Sequence, residues 1–358
     1  MSPSLIPGCG DSVKPRGYSC LMSTPCLRLD RAALVANWQA MARASGPAGC
    51  GAALKADAYG LGAVPVLAHL AAAGCRDVFV ASWAEAAALG PLPAGVRVGV
   101  LHGITPGEMP AALALGPTYV PVLNTAAQIA LWRQTGRACD LMVDTGITRL
   151  GLDMADLALA EGLALDTLHS HLACADTPAH PLNTLQLARF REACAQVPAR
   201  RRALANSAGI LLGADWHFDL TRPGLALYGG TMGSAQVAHL EAPVLQVRDV
   251  PAGIGIGYGA SHVTAAPARI ATVALGYADG YPRALAGWGH ALIRGRRCPL
   301  VGRVSMDLIT LDVTAVPELG EGEPVALAFD LPAAARASGR SEYELLTGLG
   351  ARYARIWS

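Results

Sequence analysis

Between Cys26 and about residue 230, short apolar runs alternate with helix-like segments about eight times, and this alternation limits the fold more than any other feature. DVFVAS is followed by WAEAAALG, VRVGVLHG by TPGEMPAALALG, TYVPVLN by TAAQIALWRQTG, and CDLMVDTG by DMADLALAEG. Upstream, CLRLD predicts a strand, Asp30 is placed to cap a helix from Arg31 to about Ala44, and GCGAALKA predicts a buried strand. LDTLHSHLA, RRALAN and LALYGG add strands, with a helix in PLNTLQLARFREACAQV. Units of this length imply parallel βαβ connections. Polar residues stand at several strand ends: Lys55, His102, Asn124, Asp144, His171 and Asn206. In a closed (β/α)8 TIM barrel those ends gather on one face, where such folds carry their active sites. An open doubly wound sheet is the alternative, but its GxGxxG fingerprint is missing.

The texture changes after about residue 240. VLQVRDV, RIATVALGY, HALIRG, RRCPLVG, LITLDVT and PVALAF are short strand-like runs divided by Gly, Pro and Asp. EYELLTGLG predicts a short helix and RYARIW a terminal strand. The expected division is a loose leader over 1–25, an α/β barrel over 26–238, and a mostly-β domain over 239–358. The leader lacks the apolar block of a signal peptide, and no stretch is long and apolar enough to span a membrane. A net charge of +1 offers no field for nucleic acid or an anionic membrane. Nine cysteines without a CxxC pair argue against a disulfide framework or structural zinc, and fit a reducing, cytoplasmic setting.

Of 28 basic residues only Lys14 and Lys55 are lysines. Lys55 stands in the apolar run GAALKADAYG, where a charge is costly unless paired or used. A primary amine can form an imine with a carbonyl; a guanidinium cannot replace it. In KADAYGLGA, Tyr59 and the following glycines form either a phosphate-binding loop or a tight surface turn. Arg149 in DTGITRLGL suits an oxyanion, or pairs with Asp144 at the surface. Ser207 in NSAG and Gly224 in LTRPGLALYG offer a hydroxyl and backbone N–H groups to a phosphate. His169 and His171 alternate onto one side of their strand, so spacing cannot choose between them. Tyr258 lies between glycines in GIGIGYGASH, with little local cover. As a base near neutrality it would need stabilising neighbours, since a phenol ordinarily titrates near pH 10.

Taken in order, KADAYGLGA, DTGITRLG, LHSHLACAD, NSAG, TRPGLALYG, GYGASH, GYADGYPR and SMD resemble the bacterial alanine racemase family of fold-type III pyridoxal-phosphate enzymes. The resemblance runs from about Cys26 to Ser358. It implies a barrel followed by a mostly-β domain, in a homodimer whose sites are completed across the interface. It implies pyridoxal 5'-phosphate held by Lys55, with Tyr59, Ser207, Gly224 and Leu225 at the phosphate and Arg149 near the cofactor's phenolic oxygen. By the same resemblance Arg222 is expected to face the pyridine nitrogen, and His171 to join the network of Arg222 and Tyr258. Tyr258, Tyr277, Met306 and the adjacent Asp307 come from the partner, the last three on the substrate side together with Arg149.

Two positions depart from the family pattern. Met142 stands where many members have a carbamylated lysine, and a thioether has no amine to carbamylate; an anion such as chloride is the alternative there. Ala351 falls where some members have a phosphate-contacting tyrosine, with Tyr353 two residues away. The implied activity is two-base racemisation of alanine, Tyr258 and Lys55 serving opposite faces of Cα, for D-alanine supply to cell-wall precursors or for catabolism. Broader amino-acid or serine racemisation, another pyridoxal enzyme of the same fold type, and a non-racemising cofactor-holding barrel are the alternatives. Arg222 argues against decarboxylase relatives, which place an acid near the pyridine nitrogen.

Overall fold

The computed structural model describes residues 24–230 and 233–358, so Lys14 and all but the last two residues of the expected leader lie outside it. The chain passes through β1 (Cys26–Leu29) and a helix over Arg31–Ala44. Asp30 caps that helix as expected, its Oδ1 accepting the Ala33 N–H at 2.8 Å. The barrel strands follow: β2 (Gly49–Cys50), β3 (Ala52–Ala53), β4 (Asp77–Val80), β5 (Arg97–Val100), β6 (Tyr119–Leu123), β7 (Cys139–Met142), β8 (Leu165–His169), β9 (Arg201–Ala203) and β10 (Leu220–Thr221). Parallel pairing runs from β3 through β9, and β10 pairs with β2. Closure lies between β9 and β10, where Asp219 N–H donates to Arg202 O at 3.0 Å and Arg222 N–H to Ala205 O at 2.8 Å. β2 and β3 are successive pieces of one strand position, so the ring has eight members. β6 and β7 are buried at every residue, as strands covered on both faces require.

Beyond the barrel come β11 (Ala238–Val250), β12 (Gly255–Ile256), β13 (His262–Val263), β14 (Ala268–Val273), β15 (His290–Ile293), β16 (Arg296–Pro299), β17 (Ile309–Asp312), β18 (Pro324–Leu327) and β19 (Ala354–Trp357). They make the mostly-β second domain. The long β11 is its hub, pairing with β1, β14 and β18.

Three local expectations change. CLRLD is a strand, but β1 lies in the second sheet, antiparallel to β11 and parallel to β19. LALYGG is not a strand: Leu225–Tyr228 is a fully buried helical turn, and the eighth barrel strand is the preceding β10. A continuous apolar run has no period to separate buried helix from buried strand. DMADLALAEG forms 3-10 turns over Met154–Ala160, and an additional helix, Leu331–Ser338, follows PVALAF. No helix among the described residues is long and apolar enough to cross a membrane.

Near the N-terminal ends of the strands, five charged residues interlock. Arg97 meets Asp140 at 2.5 Å and Asp166 at 3.3 Å. Arg201 holds both oxygens of Asp77 at 2.9 and 2.8 Å, and Asp166 at 2.9 Å. His169 Nε2 lies 3.1 Å from Asp140 Oδ2, both side chains fully buried. These groups form a charged floor to the barrel.

Candidate active site

The opposite, C-terminal strand ends frame a cleft. Lys55, Tyr59, Arg149, His171, Ser207, Arg222, Gly224 and Leu225, all singled out in the sequence, line it together. Asn206 and Met142 line it too, as do Phe79, Leu101, Asn124 and Tyr343. His102 and Asp144 do not.

Lys55 leaves β3 and enters an unusual turn. Ala56, Asp57, Ala58 and Tyr59 all have φ between 53° and 57°, a left-handed stretch built without glycine. Such a conformation costs an L-residue roughly 1–2 kcal/mol each. Gly60 continues the left-handed stretch and does not create it; Leu61 ends it, and Gly62 is positive in φ again in a different conformation. Contacts hold it from several sides. Leu54 N–H donates to Phe79 O at 2.7 Å, Ala63 N–H to Asp57 Oδ1 at 2.7 Å, and Ala56 N–H to Glu85 Oε1 at 2.9 Å. The Tyr59 ring stacks on Tyr228 at 4.6 Å.

The phosphate-type groups converge beside this turn. Ser207 Oγ accepts the N–H of Gly224 at 2.9 Å and of Ala226 at 3.3 Å. A Cβ on residue 224 would collide with Tyr59 Oη, so only glycine lets the Tyr59 hydroxyl approach this closely. Arg222 donates through Nη2 to Ser170 O at 2.6 Å, while its buried Nη1 has no protein partner.

Electrostatically the cleft is cationic, with no carboxylate among its lining residues. Burial pushes the Lys55 amine below its ordinary value, Arg149 adds to this, and Glu85 opposes it. Burial likewise lowers His171 to about 3, with Arg222, Arg149 and Lys55 contributing. Arg222 is pushed down to about 10 by burial against the opposing pull of Asp140, and remains a cation at neutral pH. His169 does not share this wall. It sits one layer lower, with its ring edge-on to Phe79 at 5.7 Å. Asp144 does not pair with Arg149; its Oδ1 accepts the N–H groups of Gly146, Ile147 and Thr148 at 2.8 to 3.1 Å and shapes the loop that presents the arginine.

The second-domain residues lie elsewhere in the single chain. Tyr258 is 70% exposed, in a hollow shared with Arg303 and Ser305. Tyr277 and Met306 are 43% and 54% exposed and adjacent, Ala278 N–H donating to Met306 O at 2.9 Å. Asp307 is held by Arg352 at 2.7 Å. The expectation at Ala351 or Tyr353 shifts upstream: Tyr353 is buried away from the cleft, whereas Tyr343 lines it with its ring 6.0 Å from that of Tyr59. Its sequence signal is a tyrosine in the first turn of a helix capped by Ser341 and Glu344.

Residues 29–232 match the family model for the alanine racemase N-terminal domain, and 237–357 that for the C-terminal domain. The chain belongs to the alanine racemase family. An alanine racemase of Rhizobium meliloti is 43% identical across 94% of this chain and 97% of that protein. Among solved structures, alanine racemase from Bartonella henselae with covalently bound pyridoxal phosphate is 36% identical, with a TM-score of 0.85 over 94% of this chain and all of that one. The biosynthetic enzyme of Pseudomonas aeruginosa is 35% identical, with a TM-score of 0.83 over 94% and 99% of the two chains.

Proposed function

We propose that the chain interconverts L- and D-alanine on pyridoxal 5'-phosphate, with Lys55 as one base and Tyr258 of a second copy as the other. Family membership across both domains supports the reaction and the cofactor. The observation that carries the residue roles is the cleft itself, where a desolvated lysine stands among cations and no carboxylate lines the wall.

The residues fit the cofactor chemically. Tyr59, Ser207 Oγ, which the N–H groups of Gly224 and Ala226 hold in place, and the backbone of Gly224 and Leu225 would receive its phosphate. The unpartnered Nη1 of Arg222 would face its ring nitrogen. When bound, the cofactor draws electrons from the substrate Cα, so that the Cα proton comes within reach of side-chain bases.

Lys55 serves one face of that carbon. Burial and Arg149 favour its neutral amine, which can take a proton from D-alanine or, once protonated, return one toward D-alanine. Tyr258 serves the other face, removing the proton from L-alanine. Its exposure on the second domain, outside the cleft of its own chain, supports delivery to a partner's cleft. Arg222 stays cationic and so disfavours a proton on the ring nitrogen by like-charge repulsion, which favours reprotonation at Cα over transamination. Tyr277 and Met306, exposed side by side, would narrow the substrate side of the partner's cleft; Asp307, already bound by Arg352, would orient that segment.

Mixed subunits test the arrangement. K55A and Y258F homodimers are each expected to be inactive on alanine. Co-refolded together, they form hybrids with one intact site, restoring up to about a quarter of wild-type turnover. No recovery in verified hybrids would refute the shared site. Because enantiomers have equal free energy, kcat/KM must fall equally in both directions. The assignment of faces is therefore read from deuterium uptake: Y258F in deuterated water should lose exchange at Cα of L-alanine more than of D-alanine.

A further inference from the structure

Ser82 and Glu85 have the spacing of a capping box, in which the glutamate reaches back to the N–H of the cap residue. Ser82 performs its half, accepting the Glu85 N–H at 3.3 Å. The carboxylate goes elsewhere. Its Oε2 accepts the N–H of Ala81, just past β4, at 2.7 Å, and its Oε1 accepts the N–H of Ala56 at 2.9 Å. One half-buried side chain therefore bridges the end of a barrel strand and the residue directly after Lys55.

We propose that Glu85 is a positioning residue for Lys55, clamping the first left-handed residue of the lysine turn to β4 and so fixing where the amine points. The proposal rests on the reading of Lys55 as the cofactor lysine. A run of left-handed L-residues persists only where surrounding contacts over-determine it. Its far end is secured by Asp57 Oδ1 on Ala63 N–H, and by Arg355, which donates to Gly60 O at 3.0 and 2.8 Å. At its near end, beside the reactive lysine, the side-chain grip comes from Glu85. The same carboxylate bears on the protonation of Lys55. It opposes Arg149; of the other ionisable groups lining the cleft, His171 is itself held neutral, Arg222 stays cationic, and the Tyr59 and Tyr343 phenols are pushed up by burial.

Two substitutions separate grip from charge. E85Q keeps the length and one acceptor oxygen but loses the charge; E85D keeps the charge but shortens the reach. In the cofactor-loaded protein, amide exchange over residues 55–60 should accelerate about tenfold in both variants, with the helix over 31–44 unchanged. The pH midpoint of the cofactor absorbance should move to lower pH in E85Q, because the Lys55 nitrogen has lost a neighbour that favours its protonated form. It should stay near wild type in E85D. Wild-type exchange over 55–60 in both variants overturns the proposal. Evenly lost protection throughout the barrel with an unmoved midpoint marks a merely structural carboxylate and overturns it too. A K55A protein that retains the wild-type cofactor absorbance instead defeats the reading of Lys55 itself, whatever Glu85 does.

Discussion

At the floor of the barrel, Arg97 and Arg201 each meet two carboxylates within 3.3 Å; at the mouth, Lys55, Arg149 and Arg222 line a cleft with no carboxylate in its wall. Both ends gather positive charge on the same eight-stranded barrel. The floor neutralises it internally, through planar guanidinium forks that match carboxylates, although Arg97 Nη1 and Arg201 Nε keep no acceptor. The mouth has no carboxylate in its wall, Glu85 and Asp140 bearing on Lys55 and Arg222 only from outside it, so an anionic group such as a phosphate gains from the cations there. Folding stability concentrates at one end and ligand affinity at the other.

The sharpest test of that division is Lys55. K55A should abolish racemisation and the absorbance of covalently held cofactor, yet leave the denaturation midpoint of the cofactor-free chain close to wild type, because no carboxylate in the cleft wall loses a partner. K55R should fail equally, since a guanidinium cannot replace the amine in an imine. Residual turnover in K55R would remove the requirement for a primary amine.

The floor should behave in reverse. Asp140 accepts from Arg97 and from the Thr167 N–H at 3.0 Å and faces His169, so D140N strands buried donors. Removing one partner of a buried ion pair costs about 3–5 kcal/mol. Urea denaturation should register a loss of that order, while the folded protein still shows the cofactor absorbance. Loss of cofactor binding with unchanged stability would invert the comparison.

A smaller effect is expected where the mouth is packed most tightly. In G224A the new Cβ would meet Tyr59 Oη at 2.3 Å, and the Tyr59 ring, stacked on Tyr228, cannot swing aside freely. Overpacking of this kind costs about 1–3 kcal/mol. It should appear as weaker cofactor retention on dialysis, with Y59F G224A recovering part of the loss. Unaltered retention would show that the close fit of Gly224 against Tyr59 plays no part in binding.

The sequence disclosed these two ends unequally. Lys55 was conspicuous because arginine fills almost every other basic position, and the strand ends at Asn206 and His171 carried polar residues into a common face. The place of β1 was not legible, because pairing with β11 and β19 joins residues more than two hundred positions apart and leaves no local trace. Leu225–Tyr228 misled as a strand because burial on all sides erases periodicity. Glu85 read as an ordinary helix residue, since a capping spacing does not reveal that the carboxylate is diverted to Ala56. Tyr343 was hidden by a shift of register near the end of the chain, where Tyr353 offered a nearer match. The left-handed turn could not be foreseen: of Ala56 to Tyr59 only Asp57 is of a type that tolerates it, and tertiary contacts impose it.

The mildest prediction concerns acid, and it again separates floor from mouth. Burial lowers His169 from 6.5 to about 4, although Asp140 pulls the other way. Between those values the unfolded chain holds a proton that the folded chain lacks, so folding stability rises with pH through this window and is lost as pH falls from 6.5 toward 4. One such histidine contributes up to about 1.4 kcal/mol per pH unit. His171, lowered to about 3, adds a term of the same sign that extends further into acid. H169Q should therefore flatten stability against pH between 6.5 and 4 while leaving cofactor absorbance intact, and H171Q should flatten it while also disturbing the cofactor spectrum. If H169Q disturbed that spectrum as strongly as H171Q, the layer containing Phe79 would transmit charge from floor to mouth, and the two ends would form one electrostatic unit.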